Sequence, residues 1–446
     1  MDAWRAMGAA DLGREIEAGR IDPVALTEAY LEAIAAHRFG PRIYARTTPE
    51  RARAEAKAAR DRARADLRRG PLDGVPISWK DLFDTAGVAT EAGSALLAGR
   101  VPEADAGVLT AAGGRGLVCL GKTHMTELAF SGLGLNPVTE SPPNVHDAEA
   151  VSGGSSSGAA ASVAYGLAAA GIGSDTAGSV RVPAAWNDLV GLKTSAGRLP
   201  LAGTVPLAPR LDTVGPLARS VEDAALLLAA LEGRAAAAPG DVSPGDLRLL
   251  DLTSVARDDL RAGPATAHDD AVARLAAAGA SVTARAVPPV DEAMGLAQII
   301  YAPEAYGTWK AHIEANPEAM FPPVRERFRG GRDHLAADYV AAWQRLEGLR
   351  RAYLAATEGY DAVILPTVAS LPPKQGDLLA DHDLFARENL LALRNTRIGS
   401  LLGLAVLTLP TGHPACGLSL MGPAGSEERL LEMGAALAPV LADRPT

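Results

Sequence analysis

Two Ser- and Gly-rich loops constrain this chain most. They are Gly153-Gly154-Ser155-Ser156-Ser157-Gly158 and Gly173-Ser174-Asp175-Thr176-Ala177-Gly178-Ser179, and one short apolar stretch joins them. Glycine has no Cβ, so backbone in such loops can come close to a ligand or a neighbouring strand. A single Ser/Gly segment is most often a turn or linker. Here both are flanked by apolar, core-like sequence, which sets their hydroxyls against a packed interior. A lysine stands upstream, in Val75-Pro76-Ile77-Ser78-Trp79-Lys80-Asp81. Two serines and a lysine can make a hydrolase without histidine, because a serine hydroxyl becomes a nucleophile once a base removes its proton.

Around the loops, strand-like and helix-like stretches alternate, which predicts an α/β sheet covered by helices. Strands are expected at residues 74–77, 117–120, 167–173, 189–193, 247–252, 281–286, 362–365, 405–409 and 417–421. Asp22 and Pro23 supply the N-cap and first-turn proline of a helix over 23–36. Further helices are expected at 51–69, 157–165, 267–278 and 427–441. Ser220-Val221-Glu222-Asp223 has a capping pattern that opens a helix to residue 231. Residues 235–244 are the best linker candidate, and 247–286 read as a βαβ unit. The stretch 293–351 reads as mainly helical and holds many of the aromatics.

With 446 residues the chain is long enough for two or three domains. Its net charge of -10 argues against a dedicated nucleic-acid binder. The two cysteines, Cys119 and Cys416, have no metal-ligand spacing and make no disulfide framework. No run is apolar enough for a membrane span, and no leader pattern is seen, so a reducing cytoplasm is the expected compartment. Gly116-Leu-Val-Cys-Leu-Gly121-Lys122-Thr123 matches the phosphate-binding loop pattern letter for letter. We reject it: residues 117–120 are themselves apolar and read as a strand, where that motif needs an open loop.

Several longer motifs, in order, carry a family resemblance. They are the two loops, Arg181-Val-Pro183, Val190-Gly-Leu-Lys-Thr194, Gly74-Val-Pro-Ile-Ser-Trp-Lys-Asp81, Asp212-Thr-Val-Gly-Pro216, Tyr360-Asp-Ala-Val-Ile-Leu-Pro-Thr367, Gly403-Leu-Ala-Val-Leu-Thr-Leu-Pro410 and Cys416-Gly-Leu. Together they resemble the amidase signature family over nearly the whole chain. The resemblance implies one α/β/α domain over residues 1–446, with a central mixed, twisted sheet covered by helices on both sides. Within it, 1–70 would form N-terminal helices, 71–232 the signature core, and 290–350 a helical substrate-pocket insertion. The resemblance also implies roles: Ser179 as nucleophile, Ser155 as the bridging serine after a cis peptide bond, and Lys80 as base. It implies an oxyanion hole from the N–H groups of Thr176, Ala177, Gly178 and Ser179. Ser156, Asp175 and Arg181 would brace the loops. No metal or organic cofactor is implied. The expected partner is a small amide or carbamate, with no nucleic acid and no membrane, for a monomer or homodimer.

The implied chemistry is coherent from below. A lysine near its ordinary pKa of about 10.4 is protonated and cannot act as a base. Burial favours the neutral amine, and Val75, Ile77, Leu82 and Phe83 around Lys80 are apolar. Two departures from the family pattern stand out. Ala177 replaces a common glycine before the nucleophile, restricting the backbone and narrowing the oxyanion loop, and Ser157 replaces a frequent glycine in the first loop. The resemblance implies an amide hydrolase that also accepts anilides, esters and carbamates. A carbamate-cleaving urethanase is one alternative. The glutamine-hydrolysing component of a tRNA-dependent amidotransferase is the other. Tyr301, Tyr306, Trp309, Phe321, Phe328, Tyr339 and Trp343 are candidates to wall the pocket, with Arg210 and Leu211 as candidates to face it.

Overall fold

A computed structural model describes residues 2–236 and 240–442. One mixed sheet of 11 strands runs through it. In chain order these are β1 (Tyr44–Thr47), β2 (Pro76–Lys80), β3 (Val118–Thr123), β4 (Ala170–Ser174), β5 (Val190–Lys193), β6 (Val214–Ala218), β7 (Arg248–Leu252), β8 (Ser281–Arg285), β9 (Ala362–Pro366), β10 (Ala405–Pro410) and β11 (Gly417–Gly422). Across the sheet the order is β1-β3-β2-β4-β6-β5-β10-β11-β9-β7-β8. β3, β2 and β4 are parallel neighbours, as are β9, β7 and β8, while the pairings between those groups are antiparallel. Helices cover both faces. On β10, Leu407 meets Gly434 of the helix Glu427–Ala442, and the next residue, Thr408, faces the side where Ala185 of the helix Arg181–Trp186 packs.

Local signals explain much of this. The helix Pro23–Ala36 begins where Asp22 accepts the N–H of Val24 at 2.8 Å. The helix Val221–Leu231 begins where Ser220 accepts the N–H of Asp223 at 3.0 Å. Asp223 also accepts the N–H of Ala10, tying down the helix Ala9–Glu17, for which the sequence carries no clear start signal. β7, the helix Ala262–Ala277 and β8 form the expected βαβ unit with a parallel pair. The linker candidate at 235–244 falls partly outside the described residues, and the segments on its two sides join the same sheet. The stretch matching the phosphate-loop pattern is β3, buried along its whole length.

Three elements differ from expectation. The polar helix ends at Arg64, before the expected 69. β6 lies in mid-sheet between β4 and β5 despite Pro216, a residue that ordinarily argues against a central strand. The helix His382–Leu401 is largely buried in its second half, where Thr396, Arg397 and Ser400 stand.

The sheet places Lys80 and Ser174 together. β2 and β4 are parallel, with Trp79 beside Ile172, so Lys80 and Ser174 emerge at the same carboxyl edge. Side chains alternate along a strand, so Lys80 shares a face with Ser78. That face carries the helix Ser157–Ala164, and Ser78 and Ser162 share a 2.8 Å hydrogen bond across it. The helix is built of small residues and lies close: a Cβ on Gly171 would fall 2.8 Å from the carbonyl oxygen of Ala159.

Candidate active site

Lys80 is completely buried and is itself the last residue of β2, rather than lying beyond the strand. Its Nζ lies 2.7 Å from Ser155 Oγ and 2.8 Å from Ser174 Oγ. Burial pushes the Lys80 amine down to about 7, partly opposed by the charges of Asp175 and Asp212. The neutral amine keeps two N–H groups and a lone pair, so it can donate to one serine and accept from the other. Ser155 follows a cis Gly154–Ser155 peptide bond. Ser156 stitches the two loops: its N–H donates to the carbonyl of Ser179 at 3.1 Å, and its Oγ donates to the carbonyl of Ser174 at 3.2 Å.

Asp175 organises the second loop. It is fully buried and accepts the N–H of Gly178 at 2.7 Å and of Val180 at 3.0 Å. The Arg181 guanidinium grips both of its oxygens at 2.9 and 2.8 Å, and that charge holds the Asp175 carboxyl below the usual range against its burial. Arg181 also donates to the carbonyl of Thr396 at 2.6 Å and to Ser400 Oγ at 2.8 Å. Thr176 Oγ1 donates to Asp212 at 2.6 Å, and Thr396 Oγ1 donates to the carbonyl of Ala177 at 2.7 Å. Gly178 is at φ +144, and a Cβ there would fall 2.1 Å from Thr396 Oγ1, so only glycine fits. Ala177 is not at positive φ, so its methyl group is accommodated without backbone cost.

The four backbone N–H groups expected to form an oxyanion hole differ in their partners. Asp175 takes the Gly178 N–H. Among the described residues no acceptor takes the N–H of Thr176, Ala177 or Ser179. Those three amides border a narrow cleft lined by Phe130, Leu207, Tyr301, Arg327 and Leu393 together with Ser179.

Of the seven candidate aromatics, only Tyr301 lines that cleft. Its hydroxyl donates to the carbonyl of Thr176 at 3.3 Å. Trp309 donates to the carbonyl of Pro206, Phe328 packs on Phe130, and Phe321 packs on Phe385. Tyr306 bonds Glu314, Tyr339 bonds Glu304, and Trp343 lies under Arg210. These rings hold the helices together, and Leu211 is buried outside the cleft. Four further residues join the site without a role foreseen from sequence: Ser174, Asp212, Thr396 and Arg327. Ser174 and Asp212 lie inside the motifs named above and are legible there. Thr396 and Arg327 come from distant helices with no local signal. Among the described residues no three His, Cys, Asp or Glu side chains are grouped as metal ligands, and no helix is long and apolar enough to cross a membrane.

Similarity to known proteins points the same way. A family model described as Amidase matches residues 25–431. The 2-amino-5-chloromuconic acid deaminase of Comamonas testosteroni is 38% identical, over 95% of this chain and 95% of that protein. A glutamyl-tRNA(Gln) amidotransferase subunit of Anaeromyxobacter sp. (strain K) is 32% identical, over 97% of this chain and 95% of that protein. A crystal structure of an amidase superposes with a TM-score of 0.87 at 31% identity, covering 97% of this chain and 99% of that one.

Proposed function

This chain belongs to the amidase family and is a hydrolase acting on the C–N bonds of amides, and from that premise we propose that Ser179 is its nucleophile, Ser155 its proton bridge and Lys80 its base. The observation that carries the reading is the contact of a completely buried lysine with Ser155 at 2.7 Å, on the loop stitched to Ser179. Neutral Lys80 takes the proton of Ser155 while Ser155 takes that of Ser179. Ser179 Oγ then bonds to the carbonyl carbon. The free N–H groups of Thr176, Ala177 and Ser179 receive the oxyanion, each such donor being worth about 3–4 kcal/mol in other hydrolases. Gly178 serves by shaping the loop, since its own N–H is held by Asp175. The proton returns through Ser155 to the leaving nitrogen, the C–N bond breaks, and water cleaves the acyl-enzyme by the reverse relay.

The relative named a deaminase supports a small leaving nitrogen, so primary amides head the substrate panel. The test is turnover by the purified chain of a primary amide and the matching anilide, ester and aryl carbamate, beside Ser179→Ala. Loss of turnover in the variant is expected; turnover that persists would remove Ser179 from the mechanism. A second reading, the glutamine-hydrolysing component of an amidotransferase, is supported by the 32% identity over nearly the whole chain. Glutamine hydrolysis that appears only when the other amidotransferase components are added would favour it.

A further inference from the structure

Arg181, fully buried beside the second loop, has its charge answered by Asp175. Two further arginines, Arg327 and Arg397, have no such carboxylate. Arg327, on the helix Pro322–Arg329, lines the cleft with Ser179. Its guanidinium lies over the Phe130 ring, 4.6 Å from the centroid, and its Nε is buried without a hydrogen-bond partner. Arg397, on the helix His382–Leu401, is 8% exposed, and no ion pair or side-chain hydrogen bond to it is found among the described residues. The two lie close enough that each feels Tyr301, and Arg327 also feels the charge of Arg397. No carboxylate contributes to the field at either. Burial, and for Arg327 the like charge of Arg397, push both guanidinium groups below their ordinary range, yet arginine keeps its proton at neutral pH.

A cation with a buried, unpartnered donor and no counter-ion is costly. Arg327 in the cleft lining, with the like charge of Arg397 near it, calls for an anion from outside. The remaining lining is Ala129, Phe130, Leu207 and Leu393 with hydroxyl side chains, and it contains no acid. The Arg327 guanidinium, seated over Phe130, offers its N–H groups as a planar fork, the shape that meets a carboxylate with two parallel bonds. We propose that the substrate hydrolysed at Ser179 carries a free carboxylate, received by Arg327 with Arg397 as the second cation. The substrate class is then the half-amides of dicarboxylic acids and amino-acid side-chain amides, rather than neutral aliphatic amides. This rests on the assignment of Ser179 above, and the experiment separates the two.

The experiment follows ammonia release from three acid amides, malonamic, succinamic and glutaramic acid, each beside the neutral amide of equal length: propionamide, butyramide and valeramide. Wild type is expected to favour the best acid amide over its neutral partner in kcat/KM. Arg327→Gln is expected to lower that acid-to-neutral ratio on the order of 100-fold, the loss expected for a bidentate charge-assisted pair. Arg397→Gln is expected to lower it less. Arg345→Gln, an exposed arginine on the neighbouring helix Ala336–Ala356, is expected to leave the ratio in place. A wild-type ratio near one, or a ratio untouched by Arg327→Gln, overturns the proposal while leaving Ser179 as nucleophile. A second arm needs no turnover: thermal stabilisation by succinate and glutarate. Stabilisation of wild type that is lost in Arg327→Gln supports the anion site, even where Ser179→Ala still hydrolyses, an outcome that sinks the nucleophile assignment alone. No stabilisation together with no acid preference sinks the anion site.

Discussion

Arg181 and Arg327 are both arginines beside the second Ser- and Gly-rich loop, and their surroundings are opposite. Arg181 comes from the helix Arg181–Trp186, and two oxygens of Asp175, one carbonyl and one hydroxyl take four of its donors. Arg327 comes from the helical stretch on the other side of the cleft, and its Nε has no partner. A charge satisfied internally builds the scaffold. A charge left unsatisfied at a cleft marks where a ligand completes the structure. Two buried lysines repeat the lesson on a smaller scale. Lys193 and Lys80 are both pushed down to about 7 by burial. Lys193 donates to the carbonyls of Thr194 and Leu404, groups with no proton to give, while Lys80 meets two serine hydroxyls.

If the contrast holds, chemistry and stability separate by residue. Ser179→Ala is expected to lower kcat on the order of 10⁵–10⁶-fold with the unfolding midpoint in urea little changed. A midpoint shift of the same rank as the activity loss would mean that Ser179 belongs to the scaffold. Lys80→Met is expected to lower kcat/KM by about 10²–10⁴-fold and to remove the pH limb near 7, because the base acts only when neutral, so the rate climbs as pH rises through about 7. If the limb survives in Lys80→Met, another group is the base.

Stability should sort the same residues the other way. Asp175→Asn leaves Arg181 buried beside a neutral partner and is expected to cost about 3–5 kcal/mol in urea unfolding. Arg327→Gln removes an unanswered charge and is expected to be neutral or stabilising by the same measurement. Equal losses for the two would erase the distinction between them. Lys193→Met sharpens the lysine contrast. Native Lys80 and Lys193 lose their protons near 7, whereas unfolded lysines hold theirs to about 10.5. The unfolded chain therefore binds more protons between those values, and stability rises with pH across that window. Lys193→Met is expected to flatten this rise while keeping the kinetic limb. The smallest effect belongs to Tyr301→Phe, which loses one hydrogen bond to Thr176 and is expected to cost about 1 kcal/mol, read as a modest fall in kcat.

Legibility in the sequence followed the range of the interaction. The helix Pro23–Ala36 could be read because Asp22 caps it from the adjacent position. Lys80, Ser155 and Ser179 could be singled out because the motifs around them are local in the chain. β6 was hidden by Pro216, whose place in mid-sheet depends on the strands beside it. The aromatic stretch was readable as helical, yet which ring faces the cleft was not. Tyr301 lines it while Tyr306, on the same helix, bonds Glu314.

The sequence by itself determined the loop chemistry: small residues that let the helix Ser157–Ala164 lie on β4, an aspartate and arginine close enough in the chain to find each other, and apolar flanks that bury Lys80. Tertiary structure decided the rest. It put Lys80 and Ser155 within hydrogen-bond distance across 75 positions, sent the Gly178 N–H to Asp175, and brought Thr396 to the carbonyl of Ala177 and Arg327 to the cleft from helices far along the chain. The physical reason is that short-range steric and capping preferences act within a few residues. The counter-ion a charge receives, or lacks, is fixed only when every element is packed.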